Sequence, residues 1–359
     1  MRRIGATCAR EGMVMGWPIY DSDGRLILDV GDEMDAESLT RISESGIGEL
    51  IVEDNRVYDV PVEPLVPPAE EAMLIHNVRQ ITTRLREGNS LHPENLAQMV
   101  QHVHGMIRTM SNSLLGEPSS AGCLNVESYD HVHPARVAGL SLILGLEYGI
   151  KDSDLVALGL AALLMNVGYV KLPEDALMTR GPLSPAVWQD LAQHPVIGAK
   201  IISAIDSVDG KVIRAIAESH ERFDGTGYPN GIKGEEISLI ARVLGMVDTF
   251  YALVSTRPYR KPFLPHEAIE FVMAYSMELF DPDLVELFSR KVPLYSTGIG
   301  VKLSSNETGV VADANLGHIG RPIVRILVDR LGAEIKSPYE LDLSAPDQQR
   351  ELVVQVLDF

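Results

Sequence analysis

The sequence predicts a mainly α protein: a helical bundle with a small α+β module before it and a small β appendage after it. Three observations carry this. From residue 131 to about 290 the chain reads almost entirely as helix, and some of these helices are apolar nearly all round, the pattern of helices buried inside a bundle. Ahead of it, turn-rich and apolar segments alternate in short runs. After Pro293 the apolar pattern shortens to a period of two, which is the period of strands.

The elements follow in order. Trp17-Pro18-Ile19-Tyr20 and Leu26-Ile27-Leu28 flank Asp21-Ser22-Asp23-Gly24, so residues 13–29 read as a β-hairpin around a turn-rich tetrad. A short helix at 36–45 ends at Gly46, and Leu50-Ile51-Val52 reads as a strand. Together these make an N-terminal module, residues 1–60. Pro61, Pro64, Pro67 and Pro68 form a stiff linker. With the helical patterns at 69–87 and 93–115, parted by Gly88-Asn89, that linker fills residues 61–120. The bundle is placed at 121–292. Val137, Leu140, Leu144 and Tyr148 recur at helical spacing while Leu142, Ile143 and Leu146 occupy the other faces. Ser184-Pro185 is an N-cap followed by proline at the first helical position. Residues 223–236 are rich in Gly and Pro and form a loop too long for a simple connector. In the appendage, 293–359, residues 299–303, 309–311 and 323–328 read as strands.

Composition narrows the function. The chain has 359 residues, 45% of them hydrophobic, and a net charge of -19. Such a surface repels a nucleic-acid backbone, which argues against polymer binding but leaves room for a small anion in a locally basic pocket. Cys8 and Cys123 stand far apart, without metal-type spacing, and suit a reducing cytoplasm without a disulfide framework. Arg2 and Arg3 are followed by no apolar segment of signal-peptide type. No run of about 18 apolar residues is expected to span a membrane; the runs at 137–148 and 155–165 read as core helices. A cytoplasmic location is therefore expected.

The chemistry lies in polar residues set into the apolar bundle. His133 opens a buried helix, His194 precedes Pro195 at a helix junction, His220 ends a helix, and Asp248 sits inside Gly245-Met246-Val247-Asp248-Thr249-Phe250. A lone histidine on an apolar helix is usually a hydrogen-bonded core residue. A carboxylate in an apolar helix demands a paired charge or a metal, and imidazoles and carboxylates converging from several helices are how bundles build metal sites.

Around these residues runs Ser219-His220-Glu221-Arg222-Phe223-Asp224-Gly225-Thr226-Gly227-Tyr228-Pro229, with Arg257-Pro258-Tyr259-Arg260 further on. Over residues 125–290 the chain resembles the HD-GYP family, bundle-type metal phosphodiesterases that hydrolyse cyclic di-GMP. The resemblance implies metal-ligand roles for His133, His194, His220 and Asp248, and ligand-binding roles for Arg257 and Arg260. The bottom-up reading adds Tyr228, as a ring to cover a base, and Arg222 beside it. The resemblance also exposes substitutions. The His-Asp pair that names the family falls on Met165-Asn166, its following Lys on Tyr169, and one of its two adjacent histidines on Ser219.

Those substitutions have physical weight. An amide such as Asn166 is neutral and bridges two cations poorly, and the thioether of Met165 is too soft for iron, manganese or magnesium. Tyr169 removes a positive charge facing phosphate. No catalytic residue is assigned with Met165, Asn166, Tyr169 and Ser219 in those positions. If His133 goes with Asp248 and His194 with His220, neither metal has a full shell. The donor set then supports one weakly bound divalent ion (iron, manganese or magnesium) and no intact binuclear centre. The expected function is a degenerate HD-GYP protein of cyclic di-GMP signalling that binds cyclic di-GMP, or a related cyclic dinucleotide, with impaired catalysis. The alternatives are an active phosphodiesterase with an atypical metal site, and a scaffold that docks a protein partner through the GYP loop. In a purely structural reading, the histidines are inherited core residues and Arg257 and Arg260 are helix-end cations.

Overall fold

Asp35 shows how local chemistry sets the N-terminal module. Its side chain accepts from the Ser38 amide while Ser38 Oγ accepts from the Asp35 amide, a reciprocal cap. This starts helix α1, Ala36–Ser45, which Gly46 ends in the left-handed conformation at φ 76°. The computed structural model describes residues 1–21, 23–91, 93–112, 129–173, 184–205, 208–256 and 260–357. Strand β1, Arg2–Gly5, runs antiparallel to β4, Glu49–Val52. The hairpin forms from β2, Ile19–Tyr20, and β3, Leu26–Leu28, with Asp21 Oδ1 accepting the amides of Asp23 and Arg25 across the turn. Trp17 and Pro18, read as part of this hairpin, lie outside the strand. Ile4, Met15, Ile27, Met34, Ile42 and Leu50 form the module's core.

The bundle begins at Pro68, the first residue of α2, Pro68–Arg86. Then come α3, Pro93–Asn112; α4, Tyr129–Tyr148; and α5, Asp152–Leu164. A 3-10 turn, Val167–Lys171, leads on to α6, Pro185–Leu191, and α7, His194–Ser203. The remaining helices are α8, Gly210–Glu218; α9, Leu239–Val254; α10, Pro265–Ala274; and α11, Pro282–Lys291. Ser184 caps α6 by accepting from the Val187 amide at 3.3 Å. Helices α4 and α5 are buried on nearly every face, as their sequence demands, and α9 packs on both. Contrary to the sequence expectation of no membrane-length run, the stretch Asp152–Lys171 is long and apolar enough to cross a membrane by composition. Most of it is buried inside the bundle, as in a core helix.

The C-terminal strands form one antiparallel sheet in the order β8-β7-β6-β5-β9. They are β5, Gly300–Leu303; β6, Thr308–Asp313; β7, Ile323–Val328; β8, Glu334–Asp342; and β9, Val353–Leu357. The two unread strands, β8 and β9, are the edges. β8 carries Glu334, Lys336 and Glu340, and charged edges hide strand periodicity while protecting the sheet from further pairing. This sheet is joined to the N-terminal module: Ile51, Val57, Val60 and Val62 share a cluster with Val310 and Leu327. Arg3 also donates from Nε to the Thr297 carbonyl at 2.9 Å. Among the described residues Cys8 forms no disulfide, and Cys123 lies outside them.

Candidate ligand and metal site

Four buried or half-buried side chains meet where α4, α7, α9 and the segment after α8 converge. His133 Nε2 lies 2.7 Å from Asp248 Oδ1, and His194 Nε2 lies 3.0 Å from His220 Nε2. His220 Nδ1 is 4.0 Å from Asp248 Oδ2, which links the pairs into one chain. His194 Nδ1 donates to the Leu191 carbonyl at 2.7 Å. In the neutral ring that leaves the Nε2 lone pair facing His220, the tautomer a metal-binding imidazole adopts. His220 sits two residues beyond the last residue of α8, so it lies after the helix rather than ending it.

The helices are brought this close by particular residues. Gly168, in the 3-10 turn, packs so tightly on α7 that a Cβ there would lie 2.0 Å from the His194 carbonyl oxygen. Glu218 ends α8 by binding Arg214 Nε at 2.7 Å and the Ser238 amide at 2.8 Å. Ser238 is the N-cap of α9, so one carboxylate sets the spacing between the segment bearing His220 and the helix bearing Asp248.

The Gly- and Pro-rich loop is a folded lid support. Its start is pinned by backbone hydrogen bonds from Phe223 to Leu279 and from Asp224 to Glu278, its far end by the Gly234 amide donating to the Phe223 carbonyl, and its middle by the Asn230 amide donating to Glu221 Oε1 at 2.7 Å. Asp224 accepts from both the side chain and amide of Thr226, which holds its carboxyl below the usual range. At Gly227 a Cβ would lie 2.3 Å from the Arg222 nitrogen, so only glycine lets the loop fold back here. The result is that Tyr228 stacks on His220 with centroids 5.0 Å apart and planes 5° from parallel. Trp188 meets the other side of Tyr228 edge-on at 5.6 Å. The sequence did not single out Trp188; a tryptophan on a short helix just before His194 was the available signal.

Each remaining predicted residue has a definite place. Tyr169 stacks on His194 at 4.1 Å. Met165 is 1% exposed and belongs to the apolar core, and Asn166 is 5% exposed. Ser219 is buried and donates to the Ile216 carbonyl at 2.9 Å, back onto its own helix. Arg222 donates to Thr249 Oγ1 at 3.2 Å and lies over Phe280. Burial pushes its pKa down, against the raising effect of Asp248, Tyr228 and Asp224. Arg257 lies outside the described residues. Arg260 donates to the carbonyls of Ala252 at 2.7 Å and Leu253 at 3.0 Å and lies over Phe263. Its guanidinium closes the C-terminal end of α9, which fits the helix-end reading better than a grip on phosphate.

Among the described residues, no group of three or more His, Cys, Asp or Glu is arranged to hold a metal ion. A binuclear centre does not fit this donor set. The position to which the resemblance would assign a bridging carboxylate carries the neutral amide of Asn166, Met165 lies in the core, and the Ser219 hydroxyl donates to its own helix. The remaining donors form two pairs.

Comparison with known proteins places these residues in context. A model of the HD domain family matches residues 90–284. The chain is 27% identical to a cyclic di-GMP phosphodiesterase of Pseudomonas aeruginosa, over 91% of this chain and 85% of that protein. It is 28% identical to the cyclic di-GMP phosphodiesterase response regulator RpfG of Xanthomonas campestris, over 74% and 80% of the two chains. A cyclic di-GMP phosphodiesterase of Thermotoga maritima is 35% identical over 44% of this chain and 43% of its own length.

Proposed function

Since the chain belongs to the HD domain family, in its HD-GYP branch, we propose that it serves cyclic di-GMP signalling as a ligand-binding or interaction module with impaired hydrolysis. The observation that carries this reading is the mutual pairing of the retained donors, His133 with Asp248 and His194 with His220, with a neutral Asn166 where the resemblance implies a carboxylate. The ligand-binding part rests on Tyr228 and Arg222. Tyr228 offers an aromatic face beside the histidines, and Arg222 is a buried guanidinium that feels the charge of Asp248. A guanidinium binds phosphate without a metal. With Arg260 spent on α9, Arg222 carries more of the phosphate contact than the sequence implied.

The test uses purified chain with and without added manganese or ferrous iron. Calorimetry should show cyclic di-GMP binding without metal, weakened strongly in Arg222→Met, and chromatography should show little or no hydrolysis. Absence of binding at high micromolar ligand would sink the receptor reading and leave the loop as a protein-docking surface. The second reading, an active phosphodiesterase with a single weakly held ion, is favoured by one feature: the His194 Nδ1 bond to Leu191, which orients Nε2 as in a ligand. Robust metal-dependent turnover, abolished in Asp248→Ala, would establish it instead.

A further inference from the structure

Trp188 stands one ring beyond the histidine chain. It lies on α6, which has no buried residue, and it is 49% exposed. A single exposed apolar side chain on a protein surface needs no explanation, but this ring is not single. Its centroid is 5.6 Å from that of Tyr228, with the two planes 81° apart. Tyr228 in turn lies parallel to His220 at 5.0 Å, and His220 meets His194 at 4.7 Å. The rings thus run outward from the paired donors: His194 buried, His220 and Tyr228 half-buried, Trp188 at the surface.

The surface each ring has left to offer differs along this line. One face of Tyr228 is taken by His220. The indole keeps about half of its surface open, so of the two it has more to give a flat ligand. Because α6 buries no side chain, the tryptophan does not serve the apolar core. Its helix is set by local chemistry: Ser184 accepts from the Val187 amide, and Pro185 takes the first helical position. The same helix ends at Leu191, whose carbonyl accepts from His194 Nδ1 at 2.7 Å. One short segment therefore carries the indole and fixes the orientation of a site histidine. An indole is the broadest flat apolar face that a side chain offers. Nucleobases stack on such faces whatever their edges carry, and a two-ring purine covers more of the indole than a pyrimidine does.

Resting on the cyclic dinucleotide reading above, we propose that Trp188 is the base-stacking residue of this site and sets its preference for purine over pyrimidine cyclic dinucleotides. One base lies flat on the indole. Tyr228, nearly at right angles to the indole, forms the adjoining wall, and Arg222 meets the phosphate.

The chain has two tryptophans, so in full-length Trp17→Phe protein the emission reports on Trp188 alone. Cyclic di-GMP should quench it saturably. By calorimetry, cyclic di-UMP should bind the wild type at least about tenfold more weakly than cyclic di-GMP, the scale of one base–aromatic stack. Trp188→Leu should lose about tenfold in affinity for cyclic di-GMP and little for cyclic di-UMP, so the purine preference collapses. Trp188→Phe, which keeps a smaller flat face, should fall between. Both variants should keep the wild-type circular-dichroism spectrum and urea stability, because the residue is exposed on a helix that buries nothing. The proposal is overturned by unquenched emission at saturating cyclic di-GMP, or by equal wild-type affinity for the two dinucleotides. It is also overturned by an equal loss for both in Trp188→Leu, which would mark the indole as a mere support for Tyr228. If the wild type binds neither dinucleotide, the receptor reading and this proposal fall together. If it binds cyclic di-GMP and Trp188→Leu binds it equally well, this proposal alone falls.

Discussion

Gly168→Ala is the sharpest test of how the site is held together. The 3-10 turn carries Gly168 against the first turn of α7, where an added methyl would stand 2.0 Å from the His194 carbonyl oxygen and 2.8 Å from the Gly198 nitrogen. Real Cβ atoms essentially never approach closer than 3.0 Å, so the two backbones must part by about 1 Å. Both obstacles are main chain, so rotamer change gives no relief. Overpacking a core costs ~1–3 kcal/mol even when side chains can adjust, so about 3 kcal/mol is expected here. Gly198→Ala is the control, because its methyl meets the same seam at 3.3–3.4 Å. That mild crowding is offset by the helix preference of Ala over Gly, worth ~1 kcal/mol, and the net change should lie within ~0.5 kcal/mol. Urea unfolding of the two variants measures the difference. Gly168→Ala should also disturb the stacking of Tyr169 on His194, visible in the histidine ring protons by NMR. Equal stability of the two variants would refute the claim that this close seam positions His194.

Arg260→Ala separates the helix-end role from a ligand role: stability should fall by about 1–2 kcal/mol from the lost contacts to Ala252, Leu253 and Phe263. Unchanged urea stability together with lost cyclic di-GMP affinity would show that Arg260 faces the ligand after all. Gly227→Ala should displace Tyr228 from His220 and quench or shift Trp188 emission, while the bundle's global unfolding changes by less than about 1 kcal/mol because the loop can open locally; a crystal structure of the variant with the stack intact would disprove it. For Asp130, burial raises the carboxyl pKa, but hydrogen bonds from His131 and the Arg86 charge outweigh it and hold the pKa below its unfolded value. Its stabilisation is therefore present above about pH 4, the unfolded pKa, and is lost as pH falls through the lower folded pKa. Asp130→Asn should cost roughly 0.5–1 kcal/mol at pH 7, discounted for the exposed Arg86, and nothing near pH 2; an equal cost at both pH values would refute the assignment.

The parts of this fold legible in the sequence were those whose signal is local. The start of α1 at Ala36, its stop at Gly46, the break at Gly88 and the all-round apolar faces of α4 and α5 depend on neighbours in the chain, and these boundaries fall within a residue or two of their reading. What stayed hidden needed distant partners. β1 is a four-residue strand with two arginines, and only pairing with β4 makes it a strand. Edge strand β8 hides its period behind charge. The shared core of Ile51, Val60, Val310 and Leu327 joins segments about 250 residues or more apart, so the N-terminal module and the C-terminal sheet support each other where the sequence suggested separate appendages. At the candidate site the same division holds. Residue types and motif spacing pointed to His133, His194, His220 and Asp248, and the structure gathers all four. Their pairing depends on backbone approaches at Gly168 and along α8 and α9 that no motif encodes. The partners of Arg260 were hidden for the same reason: an arginine just past a helix serves equally as a cap or as a ligand contact, and only the fold shows it donating to the carbonyls of Ala252 and Leu253. Met165 lies in the apolar core and the Ser219 hydroxyl bonds its own helix, so both side chains are engaged in packing beside the four histidine and aspartate donors. On that arrangement rests the proposal that the site binds its ligand more readily than it turns it over.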